Sequence, residues 1–230
     1  TWVVKESAKI ICVSQNTARE LTDLFKVRED RIVVIPEALP ARFAIRPSPD
    51  DIKRFKRLYG LSDYILAIGT PQPRKNISRL VKSYFAYKVQ LRLPEKLVIV
   101  GGSGWGLTDI PVSESVVFTG FLPTYEAAAL LAGCEVLAYP SLHEGFGLPI
   151  LNAFFQQVPV VTSNCSSMPE VAGEAAVLVD PKSEDEIAHG LEIAIRNRAK
   201  FISLGQKQLA KFSWTKTAKD TLLVYSQICS

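Results

Sequence analysis

The sequence predicts an α/β fold with a doubly wound parallel sheet. Short apolar runs alternate with amphipathic stretches along the chain, a pattern typical of parallel strands joined by crossover helices. Loops rich in glycine and proline follow several of the apolar runs, as expected at the carboxyl ends of strands, where such sheets bind ligands. At 230 residues, of which 47% are hydrophobic, the chain is long enough to bury a full core.

A strand-helix-strand unit opens the chain. We predict strands at 10–13 and 32–35, with a helix between them at 14–25. The unit ends in a segment bounded by Pro36 and Pro40, which we interpret as a linker. Residues 1–36 are therefore set apart from residues 37–230.

The remaining chain is predicted to supply the main sheet. Helices fill the gaps between its strands. Asn76 is a candidate cap for a helix that runs through Tyr84, and Ser183 with Glu186 three residues later forms a predicted capping box. Ser213 is a candidate cap for a last helix, which runs to the C-terminus. The predicted strands are 64–68, 96–100, 116–119, 135–139, 158–162 and 176–179.

Composition and charge exclude several classes of function. The 27 Lys and Arg against 23 Asp and Glu give a net charge of +4, too small and too dispersed for a nucleic-acid surface, so we expect no nucleic-acid partner. Anionic small molecules remain candidate partners. The four cysteines lie far apart and only two histidines accompany them, which indicates neither a zinc site nor a disulfide framework and favours a reducing cytoplasm.

One uncharged stretch, residues 145–169, resembles a membrane span only in its lack of charge. Pro149, Pro159 and Asn152 interrupt it, and amide side chains are costly in lipid, so we do not interpret it as a span. No signal peptide is recognised at the start of the sequence. Since Thr1 is not an initiator Met, we expect a fragment or a processed chain.

The segment 140–149 follows a predicted strand and has the pattern of a phosphate-binding loop. Gly145 and Gly147 allow close approach of the backbone to a ligand, and Pro149 suits the first turn of a helix whose N–H groups then face the loop. Glu144 adds a carboxylate that can accept hydrogen bonds from sugar hydroxyls. The alternative is an ordinary strand-to-helix turn with a solvated Glu.

Arg74 and Lys75 follow another predicted strand and are placed to neutralise a diphosphate. In isolation this dipeptide would read as a solvated basic turn, but three strand-end loops pointing to one crevice favour a site. The glycine run from 101 to 106 is weaker evidence, because it lacks the spacing of the dinucleotide fingerprint. His143 is interpreted as structural rather than catalytic, and His189 as a surface residue of a helix.

These residues resemble a known family, the retaining, GT-B-fold glycosyltransferases called group 1 or family 4. The pattern is closest to bacterial mannosyltransferase-like members that act on surface polysaccharides. The resemblance spans nearly the whole chain. Four segments carry it: YILAIGT at 64–70 with PRKN at 73–76; KLVIVGG at 96–102; PS at 140–141 with EGFGLP at 144–149; and SSMPEVAG at 166–173 with FSW at 212–214.

The resemblance implies the C-terminal, Rossmann-like half of a GT-B fold and a site for a UDP-, GDP- or ADP-sugar. It implies catalytic roles for Glu144, Arg74 and Lys75, of which the two cations hold the diphosphate. Gly147 and Leu148 are implied to offer backbone N–H groups to the diphosphate, and Glu144, Gly145 and Phe146 to contact the sugar. The base would lie against Gly120, Phe121 and Leu122. Gly69, Thr70, Gly102 and Asn152 complete the implied donor site.

The resemblance also implies a reaction and a setting. A hexose would pass to a polysaccharide or glycolipid acceptor with retention of configuration, by front-side attack in which the leaving phosphate takes the proton of the acceptor. No metal or other cofactor is expected, because cations and a helix N-terminus stabilise the leaving diphosphate. The enzyme would be cytoplasmic, at the inner membrane face where its acceptor holds it.

The chain departs from the family at three points. Asn152 stands where the family has the second Glu of a Glu-x7-Glu motif, which implies weaker hydrogen bonding to the ribose. Gln157 stands where a small residue or Gly is frequent. Finally, residues 1–36 match only the last part of an acceptor domain and its linker, with 37–230 as the donor domain and its C-terminal crossover helix, so we expect the isolated chain to be inactive.

Two alternatives remain open. Asn152 and the missing half are consistent with a non-catalytic nucleotide-sugar-binding module. The sugar-nucleotide epimerases share the GT-B fold, although the Arg-Lys-Asn segment at 74–76 and the EGFGLP segment at 144–149 count against them.

Overall fold

The computed structural model describes residues 2–94, 96–102 and 113–229. The strands are β1 (Ile10–Cys12), β2 (Ile32–Val34), β3 (Tyr64–Ile68), β4 (Lys96–Val100), β5 (Val116–Gly120), β6 (Val136–Tyr139), β7 (Val160–Ser163) and β8 (Val177–Val179). The helices are α1 (Trp2–Glu6), α2 (Gln15–Phe25), α3 (Pro49–Leu58), α4 (Ile77–Tyr87), α5 (Thr124–Gly133), α6 (Leu148–Phe155), α7 (Met168–Ala172), α8 (Glu184–Arg196), α9 (Arg198–Leu209) and α10 (Trp214–Cys229).

Six of the strands form one parallel sheet in the order β5-β4-β3-β6-β7-β8. The order runs outward in both directions from β3 and β6, so the topological switch point lies between these two strands. In sheets of this kind ligands bind beyond the carboxyl ends of the strands at the switch point. The predicted doubly wound, Rossmann-like α/β fold is confirmed. The loops after β3 and β6 carry Arg74, Lys75 and Glu144.

The core lies on both faces of this sheet, because successive side chains of a strand point to opposite sides. Leu66 of β3 belongs to a buried cluster with Leu130 of α5 and Ile150 of α6. Its neighbour Ile65 belongs to a second buried cluster with Leu80 of α4 and residues of α8. Burial of each such side chain contributes about 1.5–3 kcal/mol, which fixes β3 and β6 in the centre of a rigid sheet.

All six predicted strands of the main sheet form; β3 and β4 have the predicted bounds, and the other four have shifted ends. The largest shift is in β7, which begins at Val160 rather than Val158. Its cause is the end of α6: Gln157 adopts a left-handed conformation with φ of 61°, and the Val158 N–H donates to the Ala153 carbonyl at 2.9 Å. That conformation is the one in which glycine is favoured, so Gln157 holds a backbone geometry that is uncommon for a residue with a side chain.

Two of the predicted helix caps differ from expectation. Asn76 precedes α4, but its side chain makes no cap bond; φ is 58°, and the amide donates instead to the carbonyls of Pro140 at 3.0 Å and Pro181 at 2.6 Å. Ser183 accepts the Glu186 N–H at 3.1 Å as predicted. The Glu186 carboxylate, however, accepts from the N–H of Asp180 and not from that of Ser183, so the prediction of the reciprocal capping-box bond is wrong. In both cases a tertiary or loop partner replaces the local one.

The first strands form a separate two-stranded parallel sheet, β1-β2, with α2 as their crossover. Helix α10 begins at Trp214, directly after Ser213, and its first residues lie against the segment after β2. The Trp214 indole donates to the Leu39 carbonyl at 3.0 Å, and the Thr217 hydroxyl donates to the Pro36 carbonyl at 2.8 Å. The division into residues 1–36 and 37–230 stays a prediction.

The uncharged stretch 145–169 contains α6 and β7. Within the described residues, no helix combines the length and apolar character needed to cross a bilayer. Cys12, Cys134 and Cys165 carry free thiols. The predicted glycine loop continues through Ser103 and Gly104 to Gly106, which lie outside the described residues.

Candidate functional site

Arg74 and Lys75 meet Glu144 at the switch point. The two cations lie in a 3-10 turn, Pro73–Lys75, within the loop after β3, and Glu144 lies in the loop after β6. The Arg74 Nη1 atom is 2.8 Å from one carboxylate oxygen of Glu144, and the Lys75 Nζ atom is 2.6 Å from the other. The structure thus brings the three predicted catalytic residues together.

The three side chains differ in exposure. Lys75 and Glu144 are nearly buried, with 11% and 10% of their side chains exposed, whereas Arg74 is 46% exposed. One carboxylate faces two cations, so the cluster has a net charge of +1. A partly accessible guanidinium beside a buried ammonium is well suited to a bound polyanion.

Burial and pairing act in opposite directions on the charges of this cluster. Burial lowers the pKa of Lys75, although Glu144 opposes that effect. Burial also acts to raise the pKa of Glu144, but the attraction of Lys75 and the hydrogen bond from its ammonium outweigh it, so this pKa is lowered. Lys75 also donates to the Tyr139 hydroxyl at 2.8 Å. The carboxylate is therefore ionised at neutral pH.

Two serines hold the backbone of the Glu144 loop. The hydroxyls of Ser166 and Ser167 donate to the Glu144 carbonyl at 2.9 and 2.8 Å, and Ser167 also reaches the Phe146 carbonyl at 2.8 Å. Ser166 in turn accepts the Glu144 N–H at 3.1 Å. The sequence offered the SSMPE segment as a family match but no role for these serines.

Gly145, Phe146 and Gly147 lie between Glu144 and the start of α6. Gly147 precedes α6 with φ of 116°, where a side chain would be strained, and Leu148 is the first residue of the helix. A side chain on Gly145 would meet open space. Phe146, however, is buried with 6% exposure and packs edge-on against Phe212, with ring centroids 5.7 Å apart. Only the backbone of Phe146 is therefore available to contact a nucleotide-sugar donor.

A second feature, a cavity of about 270 Å³, lies beside this cluster at the carboxyl ends of β3, β4 and β5. Its volume is comparable to that of a nucleoside. Six of the predicted donor residues line it: Gly69, Thr70, Gly102, Phe121, Leu122 and Asn152. The other lining residues are Phe43, Ile68, Val100, Gly101, Thr124, Ala127 and Ala128, of which Phe43, Thr124, Ala127 and Ala128 were not singled out by the sequence.

Gly69 links the cavity to the cation cluster. A Cβ atom on Gly69 would lie 3.1 Å from Lys75 Cε, so the aliphatic part of the Lys75 side chain passes close to Gly69 in the cavity wall. A Cβ on Gly101 would lie 2.4 Å from the Gly69 carbonyl oxygen, which excludes any larger residue there. Gly120 stands next to the lining, and its carbonyl accepts the Gly101 N–H at 3.1 Å. The glycines thus permit the close approach of three strand ends.

Asn152 contributes a polar atom to the cavity region. Within the part of the chain that the structure describes, its Oδ1 atom is buried and has no hydrogen-bond partner. A buried acceptor without a partner costs about 1–3 kcal/mol. Asn152 lines the cavity, so a ligand bound there that donated to Oδ1 would remove this cost.

The histidines have structural surroundings. The His143 Nε2 atom lies 2.8 Å from a carboxylate oxygen of Glu20 on α2. His189 lies on α8 and contacts the Asp185 carbonyl at 2.9 Å and the Tyr87 ring. Neither side chain touches Arg74, Lys75 or Glu144 in the contacts found among the described residues.

Known proteins provide an independent comparison. Residues 49–208 match the family model described as glycosyl transferases group 1. O-antigen chain mannosyltransferase B of Escherichia coli is 35% identical over 233 residues, covering 96% of this chain and 61% of the relative. The serotype-specific mannosyltransferase WbdA of Escherichia coli is 33% identical over 228 residues, covering 91% of this chain and 27% of WbdA. The chain therefore spans less than two thirds of the length of these relatives.

Solved structures show the same fold. The Anabaena protein Alr3699/HepE, in complex with UDP and glucose, matches with a TM-score of 0.81 at 18% identity, covering 97% of this chain and 64% of that one. At such identity the likeness establishes the Rossmann-like architecture of GT-B glycosyltransferases and no more. The matched family model, in contrast, covers more than half of the sequence. By fold and by sequence, this chain belongs to the group 1 family of glycosyltransferases.

Proposed function

We propose that the chain is the nucleotide-sugar-binding half of a retaining hexosyltransferase that acts in polysaccharide or glycolipid synthesis. The observation that carries this proposal is the cation pair of Arg74 and Lys75 at the switch point, in contact through Gly69 with a cavity of about 270 Å³. A nucleoside diphosphate matches this arrangement, because its anionic diphosphate, which suits the cations, is next to a nucleoside, which suits the cavity.

The donor is proposed to lie along this path. Its diphosphate contacts Arg74, Lys75 and the start of α6 at Leu148, where backbone N–H groups favour an anion. Its nucleoside enters the cavity beside Phe121 and Asn152. Its sugar reaches Glu144 and Gly145. Relatives named as mannosyltransferases favour mannose as the sugar, and HepE in complex with UDP and glucose supports a nucleotide-sugar donor.

The charges of the site suit departure of a diphosphate. As the glycosidic bond breaks, negative charge grows on the leaving phosphate, and the exposed guanidinium of Arg74 and the ammonium of Lys75 are positioned to stabilise it. We propose that this positive charge replaces a divalent metal. Retention of configuration follows if the acceptor attacks from the side of the leaving phosphate, which then takes its proton.

The acceptor is proposed to bind a further domain of the enzyme. This chain spans 61% of O-antigen chain mannosyltransferase B and 64% of HepE, which supports a larger whole. On this proposal the enzyme works in the cytoplasm at the inner membrane face, where a lipid-linked acceptor would hold it. The unpartnered Asn152 also favours the second candidate, a non-catalytic module that binds nucleotide sugars.

A transfer assay separates the two candidates. The full-length protein is incubated with GDP-mannose or UDP-glucose and a lipid-linked oligosaccharide, with and without EDTA, and the product anomer is read by NMR. Transfer that retains the α-configuration and survives EDTA is the expected result. Binding of the nucleotide sugar without transfer would favour the module, and an inverted product would contradict the proposed mechanism.

A further inference from the structure

The short helix α7 contacts two parts of the molecule that are far apart in sequence. On one side, Ser166 and Ser167 at its start hold the backbone of Glu144. On the other, Glu170 within the helix accepts hydrogen bonds from the backbone N–H groups of Gln15 and Asn16, both at 2.7 Å. One rigid turn therefore joins the donor loop to α2.

Glu170 provides hydrogen-bond acceptors for free backbone N–H groups at the start of α2. The first N–H groups of a helix have no partners within it. Ser14 accepts the Thr17 N–H through its hydroxyl at 3.1 Å, and two further free donors, on Gln15 and Asn16, are both taken by Glu170. A carboxylate at a helix N-terminus also interacts favourably with the helix dipole. The fit is thus both geometric and electrostatic.

Further contacts seat α2 directly on the donor loop. The Thr17 hydroxyl donates to the Gly145 carbonyl at 3.3 Å, and Glu20 pairs with His143 at 2.8 Å. Ser166, which bonds the Glu144 backbone, adopts a left-handed conformation with φ of 56°. Non-glycine residues hold that conformation only where their surroundings enforce it. The strain lies at the point where α7 meets both partners.

We propose that Glu170 is a positioning residue: it clamps the N-terminus of α2 and thereby holds the β1–α2–β2 unit at a fixed distance from Glu144 and Gly145. The inference rests on the proposed function, in which Gly145 lies at the donor sugar, and on the predicted assignment of residues 1–36 to the acceptor domain. In the contacts among the described residues, Glu170 touches neither the cations nor the cavity, so its effect falls on the geometry of transfer and not on nucleotide affinity.

Hydrogen exchange tests the clamp directly. In Glu170→Ala, the amides of Gln15 and Asn16 should exchange at least about tenfold faster than in the unmodified protein, because each loses a charge-assisted bond. Glu174→Ala is the matched control, since it removes an equal charge from an exposed residue four positions away, and it should leave both amides unchanged. Unchanged exchange at both amides in Glu170→Ala would overturn the proposal. If this variant fails to fold, Glu170→Gln keeps the shape of the side chain, and faster exchange at one or both amides is expected.

A second variant breaks the clamp from the other side. Gln15→Pro removes one donor N–H at the first position of α2, where proline is well tolerated and the preceding Ser14 is already extended. In the full-length enzyme, with GDP-mannose and a lipid-linked acceptor, Glu170→Ala should lower kcat by about tenfold or more while GDP affinity stays within about twofold. Gln15→Pro should lower kcat in the same direction, and the double variant should be no slower than Glu170→Ala.

The outcomes separate the clamp from the proposed function. Faster exchange with unchanged kcat, or equal losses of kcat and GDP affinity, would refute the positioning role. If the unmodified protein binds neither GDP nor UDP, the proposed function fails, while the exchange comparison still decides whether Glu170 clamps α2.

Discussion

Replacing Asn152 by Glu should tighten nucleotide binding. Asn152 lines the cavity, and its Oδ1 atom is buried without a hydrogen-bond partner among the described residues, so a ribose hydroxyl that donated to it would complete its bonding. A neutral acceptor contributes about 1 kcal/mol and a charged one about 1.5–3 kcal/mol. The gain of roughly 1 kcal/mol corresponds to an affinity about fivefold higher.

The same substitution should destabilise the protein in the absence of nucleotide. A carboxylate placed where Oδ1 lacks a partner has its negative charge partly desolvated, so we expect the free energy of unfolding without ligand to fall by about 1–3 kcal/mol. Nucleotide should then raise the denaturation midpoint of Asn152→Glu more than that of the unmodified protein. Asn152→Gln is the matched control, because it has the length of Glu without the charge.

Calorimetry with GDP, UDP and their 2′,3′-dideoxy forms measures the effect. The tighter binding should require the ribose hydroxyls, so the dideoxy nucleotides should bind Asn152→Glu and the unmodified protein almost equally. If Asn152→Glu is folded and binds GDP and UDP no more tightly than Asn152→Gln does, Asn152 does not face the ribose.

The remaining predictions concern the charge, the scaffold and the completeness of the site. The pKa of Glu144 is lowered in the folded state, so the ionised carboxylate stabilises the fold above its ordinary pKa of 4.5, and this stabilisation is lost as the pH falls through the folded pKa. In urea denaturation, Glu144→Gln should therefore lose less stability over this acid range than the unmodified protein does. Asn76→Ala should lower the free energy of unfolding by about 2–4 kcal/mol, because two hydrogen bonds are lost and the backbone stays left-handed. Asn76→Gly should be about 1 kcal/mol more stable than Asn76→Ala, and equal denaturation midpoints for the two variants would contradict the role of φ. The isolated chain should bind nucleotide but show no transfer by product chromatography, since proximity to the acceptor supplies much of the rate, and efficient transfer by it would disprove the half-site interpretation.

The main sheet could be predicted because its signals are local. A run such as 64–68 is apolar throughout, as expected for a strand covered on both faces. Once the strands are parallel, their carboxyl ends must share an edge, and that is why Arg74 and Glu144, 70 residues apart, could be expected to meet. The strand order locates the meeting point between β3 and β6, and no periodicity in the sequence reports that order.

The parts of the site that were missed depend on distant partners. Asn76 has a side chain suited to capping, but two carbonyls brought near by the loops after β6 and β8 compete for its amide and win. Phe146 lies between two glycines, and no local signal reports that its ring packs against Phe212, 66 positions away. Glu170 reaches Gln15 across 155 positions, a pairing that neither spacing nor composition indicates.

The most direct test of the account measures GDP and UDP binding by the Arg74→Ala/Lys75→Ala variant. Loss of both cations removes roughly 3–6 kcal/mol of charge-assisted bonding, so affinity should fall by about two to four orders of magnitude. Lys53→Ala/Arg54→Ala, which removes two exposed cations from α3, should bind as the unmodified protein does.

A third variant isolates the cause of the loss. Removing the cations leaves Glu144 buried and unpaired, so its own repulsion would contribute; Arg74→Ala/Lys75→Ala/Glu144→Gln removes that repulsion as well. The account predicts that this variant still binds GDP and UDP at least about a hundredfold more weakly than the unmodified protein. Calorimetry that found equal affinity in the folded variants would show that the diphosphate does not bind at Arg74 and Lys75, and would contradict the account at its centre.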